Sequence, residues 1–170
     1  MGRGRKPDIR YRNIYEIDPE TLKERGIRGF IFDIDNTMEP YAAPLPGEKL
    51  TGWLNGLAER GFRIGILSNA KKERIEKFTS GFPETLKSEI LYVYGAAKPS
   101  KKGYIALASR CGLEPEQLAM VGDQLFTDIW GGNRAGCLTV LVEPIDPAAE
   151  PPFVRFKRKL EKLLYERKNV

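Results

Sequence analysis

Between residues 28 and 142, short apolar runs of strand type alternate with helix-type patterns, and no other feature constrains the fold as much. The runs lie at 28–34, 62–67, 91–94, 118–121 and 138–142 and are rich in Ile, Val, Leu and Phe, as buried strands are. Between them, residues 47–60 carry Leu50, Trp53, Leu54 and Leu57 at helical spacing, and residues 71–79 place Ile75 and Phe78 on one face. Residues 101–110 form a third helical pattern, with Ser100 placed to cap it, and residues 127–134 a fourth, closed by Gly136. Strands separated by helices pair in parallel through right-handed crossovers. The expected fold is therefore α/β: one Rossmann-like domain, with a mainly parallel five-stranded sheet and helices on both faces. No internal repeat is present.

The length of 170 residues suits one domain, and 41% apolar content supplies a core. No stretch approaches the roughly 20 apolar residues of a membrane span. The start, Met1-Gly2-Arg3-Gly4-Arg5-Lys6-Pro7, lacks the apolar segment of a secretory signal. A cytoplasmic location is expected. The two cysteines, Cys111 and Cys137, read as buried thiols of a reducing compartment. Histidine is absent, which excludes His-dependent triads and imidazole-ligated zinc. A metal site here would be built from oxygens, which favours Mg²⁺.

The net charge of +5 is unevenly spread. Residues 1–12 carry +4 and residues 155–170 carry +5, which leaves the stretch between them at −4. With Pro144, Pro147, Pro151 and Pro152 marking a linker, three regions are expected: a basic N-terminal arm at 1–12, a core domain at 13–150, and a basic amphipathic C-terminal helix at 151–170. The ends, rather than the body, would meet a polyanion.

Four of the runs end in residues with chemical potential. These are Asp33, Asp35 and Thr37; Ser68-Asn69; Lys98 after the third run; and Gly122-Asp123 with Asp128. In a parallel sheet all of them fall at the edge where ligands bind. Taken singly, Asp33, Ser68 and Asp128 could each cap a helix, and Lys98 could be a solvated surface charge. Taken together, four carboxylates around one ammonium call for a divalent cation. A phosphate could then rest against the cation, Lys98 and donors near Ser68.

These residues, in this order, resemble the four motifs of the haloacid dehalogenase phosphatase superfamily: Asp33-Ile34-Asp35-Asn36-Thr37, Ser68 after an apolar strand, Lys98-Pro99, and Gly122-Asp123 followed by Asp128. The resemblance implies a mechanism. Asp33 attacks phosphorus and becomes an aspartyl-phosphate, and Asp35 serves as acid and then base. Mg²⁺ is held by Asp33, Asp123 and the backbone carbonyl of Asp35, with Asp128 either a further ligand or a support for the others. Thr37, Ser68, Asn69 and Lys98 face the phosphoryl oxygens, with Thr37 also supporting the loop after the nucleophile. A receiver domain, a non-enzymatic phospho-aspartate switch, is the competing reading. Its motifs come in a different order, and Asp35 supplies a proton-transfer group suited to turnover.

The spacing leaves no room for an inserted cap domain, so the resemblance is to the capless branch that includes the YqeG-like bacterial proteins. That branch is similar to the mitochondrial phosphatidylglycerophosphate phosphatases. An open site suits a large phosphorylated substrate: a lipid headgroup, a protein or a nucleic-acid end. The C-terminal helix bears on the choice. Phe153, Phe156, Leu160, Leu163 and Leu164 recur at helical spacing, with Arg155, Lys157, Arg158, Lys159 and Lys162 on the other faces. Such a helix can lie on an anionic inner-membrane surface, or pack its stripe on the sheet or on another subunit. Nucleic acid is disfavoured, because the central domain is net negative and shows no aromatic stacking platform.

Overall fold

The computed structural model describes residues 4–166. Arg3, the side chains of Lys162 and Leu164, and the expected C-terminal helix beyond Glu166 lie outside the described residues. In chain order the elements are β1 (Ile9–Tyr11), α1 (Pro19–Glu24), β2 (Gly29–Phe32), α2 (Glu48–Glu59), β3 (Arg63–Leu67), α3 (Lys72–Thr79), α4 (Glu84–Lys87), β4 (Ile90–Val93), α5 (Lys102–Cys111), β5 (Leu118–Gly122), α6 (Trp130–Ala135), β6 (Leu138–Val142) and α7 (Pro152–Glu166).

The sheet has six strands in the order β1-β6-β5-β2-β3-β4, all parallel. This corrects the expected five. The sixth is β1, inside the basic N-terminal segment, where Ile9, Arg10 and Tyr11 pair with Val140, Leu141 and Val142. Three residues with an arginine at their centre show no local strand pattern, and their partner lies some 130 positions away.

β2 lies at the centre, flanked by β3 and β5, so the chain reverses its direction of winding there. Every residue of β2 is buried, as expected of a strand covered on both faces. Side chains alternate between those faces. Phe30 and Phe32 join Leu50, Leu54 and Leu57 of α2 and Ile75 and Phe78 of α3 in one core layer. Ile31 turns the other way, onto Tyr104 and Leu107 of α5 and Met120 of β5. Two packed layers thus fix the end of β2, where Asp33 begins the loop. The β2–β3 connection holds only α2, and the β3–β4 connection only α3 and α4. Among the described residues, no helix is long and apolar enough to cross a membrane.

Candidate active site

The loop after β2 is shaped by Asn36, whose φ of 64° lies in the left-handed region. Asn is among the few residues that tolerate this conformation. Its side chain secures the turn, donating from Nδ2 to Glu150 Oε1 at 2.7 Å and accepting from the Asp146 N–H at 2.9 Å. The carbonyl of Ile34 accepts from the N–H groups of Thr37 and Met38. The chain therefore doubles back, and Asp33 and Asp35 face one cavity of about 250 Å³.

Asp33, Asp123 and Asp128 are all buried, and one carboxylate oxygen from each lies within 4.8 Å of the other two. Lys98 reaches into this trio from the loop after β4, with Nζ 2.5 Å from Asp33 Oδ1 and 2.8 Å from Asp128 Oδ1. A single π-helical turn at Leu125–Ile129 bends the chain back after β5 and delivers Asp128. The Gln124 N–H then holds Asp128 Oδ2 at 3.1 Å. Such turns recur at functional sites. Gly122 is required by this approach: a Cβ there would overlap the Asp128 side chain.

The electrostatics follow from burial. Desolvation pushes the Asp33 carboxyl up to about 8, reinforced by Asp128 and Asp123 and opposed by Lys98. Asp123 is raised to about 6 by burial and by Asp128, against the pull of Arg158 and Thr37. Burial alone would depress the Lys98 ammonium, but Asp128 and Asp33 more than offset it, so it stays protonated. Three crowded buried carboxyls, with Asp33 and Asp123 raised in proton affinity, suit a hard divalent cation, and all of their donors are oxygens.

Asp35 lies beside this trio. Its Oδ1 accepts from the Ala42 N–H at 2.9 Å and pairs with Arg74 of α3 at 3.1 Å. Ser68 is buried at the end of β3, its Oγ accepting from the Ala70 N–H at 3.1 Å, and it lines the cavity. Asn69 also lines the cavity, but its amide grips the Lys98 backbone: Oδ1 accepts from the Lys98 N–H at 2.7 Å, and Nδ2 donates to the Lys98 carbonyl at 3.4 Å. Thr37 Oγ1 donates to Asp123 Oδ1 at 3.0 Å, so it reaches the acid trio directly.

Sequence reasoning did not single out Asn36, Arg74, Glu150 or Arg158 for the site. Arg158 of α7 ion-pairs with Asp123 and Glu150 and donates to the Asp123 carbonyl at 3.1 Å. Phe153, Val154 and Lys157 of α7 complete the cavity wall. The signals for Asn36 and Arg158 were a left-handed-tolerant residue after two acids and an arginine on a helix of mixed faces, and neither is decisive locally.

Residues 45–136 match the family model of the haloacid dehalogenase-like hydrolases. That span contains Ser68, Lys98, Asp123 and Asp128. The chain is also 36% identical over 159 residues to the probable phosphatase YqeG of Bacillus subtilis (strain 168), covering 92% of this chain and 87% of that one. The chain belongs to the haloacid dehalogenase-like hydrolases. The hydrolase is also 33% identical over 165 residues to phosphatidylglycerophosphate phosphatase 1, chloroplastic/mitochondrial, of Arabidopsis thaliana. That match covers 95% of the hydrolase but 47% of the relative, so the chain spans about half of that protein's length. An uncharacterized protein from Listeria monocytogenes serotype 4b shares the fold, with a TM-score of 0.57 at 17% identity, over 78% of the hydrolase and 99% of that chain. The family span begins after the Asp33 loop. It is the sheet geometry that joins this loop to the matched residues.

Proposed function

We propose that the hydrolase is a Mg²⁺-dependent phosphomonoesterase that works through an aspartyl-phosphate on Asp33, with a phospholipid headgroup phosphate of the phosphatidylglycerophosphate type as its substrate. One observation carries the chemistry: Asp33, alone of the buried acid trio, both lines the cavity and touches Lys98. Bound by Asp33, Asp123 and Asp128, Mg²⁺ would supply positive charge to the phosphoryl oxygens and to the charge they develop in the transition state.

The chain's own residues do the rest. An Asp33 carboxylate oxygen attacks phosphorus, and the bond from phosphorus to the alcohol oxygen breaks as Asp35 gives that oxygen its proton. Asp35, now ionised beside Arg74, takes a proton from water, and the resulting hydroxide attacks the aspartyl-phosphate. The bond from phosphorus to Asp33 breaks, inorganic phosphate leaves, and Asp35 is protonated again. Lys98 keeps its proton throughout and balances the charge on Asp33 and on the transferring group.

The lipid part of the reading rests on two supports. The Arabidopsis relative is named for phosphatidylglycerophosphate, and the cavity has no inserted domain over it, so a phosphate on a bulky or membrane-borne group can enter. The test is phosphate release with Mg²⁺ from a panel: phosphatidylglycerophosphate in mixed micelles, sugar phosphates, nucleotides, phosphopeptides and 5′-phosphorylated oligonucleotides. The expected result is preference for the lipid, lost on chelation. Turnover of the small phosphates with none of the lipid would remove the substrate assignment and leave the chemistry standing.

A further inference from the structure

The amphipathic C-terminal helix sits on the body by its charged side. Arg158 pairs with Asp123 and Glu150, Glu161 accepts from the Phe126 N–H at 2.9 Å, and Lys157 donates to Gln124 at 3.0 Å. Phe153 and Phe156 are left 75% and 66% exposed, and Leu160 and Leu163 40% and 51%. A surface helix ordinarily buries its apolar stripe against the core. Here the body takes the ionic face and leaves a contiguous apolar stripe, which marks an interaction surface.

We infer that this stripe is the face on which the protein docks to an anionic lipid bilayer. Charge selects that occupant. Arg155 and Lys159 are exposed on the same helix. Two copies packed stripe to stripe would bring these cations together along the seam. A bilayer bearing acidic headgroups neutralises them and takes the phenylalanines and leucines into its headgroup boundary. Position supports the same occupant, because Phe153 is both part of the stripe and part of the cavity wall. A bilayer on α7 therefore adjoins the mouth of the site. The inference relies on the proposed function only for what would enter that mouth. The docking face stands on the helix itself.

The test uses the full chain and vesicles without any phosphomonoester, so that binding is read separately from substrate choice. Vesicles of phosphatidylcholine with an equal share of phosphatidylglycerol should carry the protein down at low salt. Pure phosphatidylcholine vesicles should not, and high salt should release it. The double variant Phe156→Ser/Leu160→Ser, away from the cavity wall, should bind at least about tenfold more weakly. Arg155→Gln/Lys159→Gln should lose the salt-sensitive part. Both should hydrolyse p-nitrophenyl phosphate at the wild-type rate, which reports that the fold and the site are intact. Failure of the wild type to bind acidic vesicles at low salt would overturn the inference, as would undiminished binding by the Phe156/Leu160 variant. So would sedimentation showing a wild-type dimer that the same variant converts to monomer, which would give the stripe to a second copy. Absence of p-nitrophenyl phosphate hydrolysis in the wild type would count against the phosphatase reading and leave the vesicle result unaffected.

Discussion

Arg158 and Asp123 form an ion pair across the top of the acid trio, and Thr37 holds the other oxygen of the same carboxylate. Asp123 thus has no oxygen without a protein partner. A dication that binds Asp123 shares that carboxylate with the Arg158 guanidinium, whose positive charge repels it. Arg158→Gln should therefore tighten Mg²⁺ binding by about tenfold, in line with the strength of a hydrogen bond to a charged group. Titration calorimetry measures this directly. Unchanged affinity would mean that Arg158 keeps its contact when metal binds.

Asp33→Asn separates chemistry from folding. The amide keeps the shape of the Asp33 side chain, and its Oδ1 can still accept from Lys98 Nζ, so packing is preserved while the carboxylate nucleophile is removed. Phosphate release should fall by about a thousandfold or more, since the nucleophile is gone. The metal-free melting temperature should stay within a few degrees of wild type. Turnover near the wild-type rate would dismiss Asp33 as nucleophile.

Lys98→Met should be costly in a different way. Lys98 is buried against Asp33 and Asp128, and its removal leaves two carboxyls crowded without a cation. A loss of about 3–5 kcal/mol in the metal-free state is expected from breaking a buried pair, with partial rescue by saturating Mg²⁺. Denaturant melts with and without the ion read both effects.

Proton uptake sets the pH dependence. Asp33 is raised to about 8 and Asp123 to about 6 in the folded state, whereas an unfolded Asp titrates near about 4. Between those values the native state binds more protons than the unfolded state. Metal-free stability should accordingly fall as pH rises from about 4 to about 8. Metal must displace the same protons, so Mg²⁺ affinity should rise up to about tenfold per pH unit between about 6 and 8, then level off. Thermal melts and metal titrations across pH 5–9 check the two opposite slopes.

Gly122→Ala tests the close approach of β5 to the π-helical turn. The added methyl would overlap Asp128, so Asp128 must move off Lys98. Overpacking of this kind costs about 1–3 kcal/mol. Loss of Mg²⁺ binding should accompany it, while far-ultraviolet circular dichroism stays unchanged.

The longer elements were legible because each carries its own signal. Leu50, Leu54 and Leu57 mark the buried face of α2, and the apolar strand runs end at Asp33, Ser68 and Asp123 as read. The short elements were not. Ile9–Tyr11 becomes a strand only because β6 offers it a free edge, and Pro19–Glu24 and Glu84–Lys87 are too brief for a helical period to register. Asn69 lines the cavity beside Ser68, and what its local sequence does not announce is that its amide also closes on the backbone of Lys98, a partner 29 positions away.

Residue order alone determined the parallel α/β architecture, the family, and which side chains stand at the strand ends, because periodicity and motif spacing are properties of neighbouring residues. The folded chain alone decided which face of α7 turns inward. The local pattern favours burying Phe156 and Leu160. The body instead presents Asp123, Glu150 and the Phe126 N–H to that helix, and buried charged and polar groups demand partners more strongly than an apolar stripe demands cover. For Asp123 and the Phe126 N–H that preference depends on groups brought together across 35 positions of chain, a distance that no local reading of residues spans.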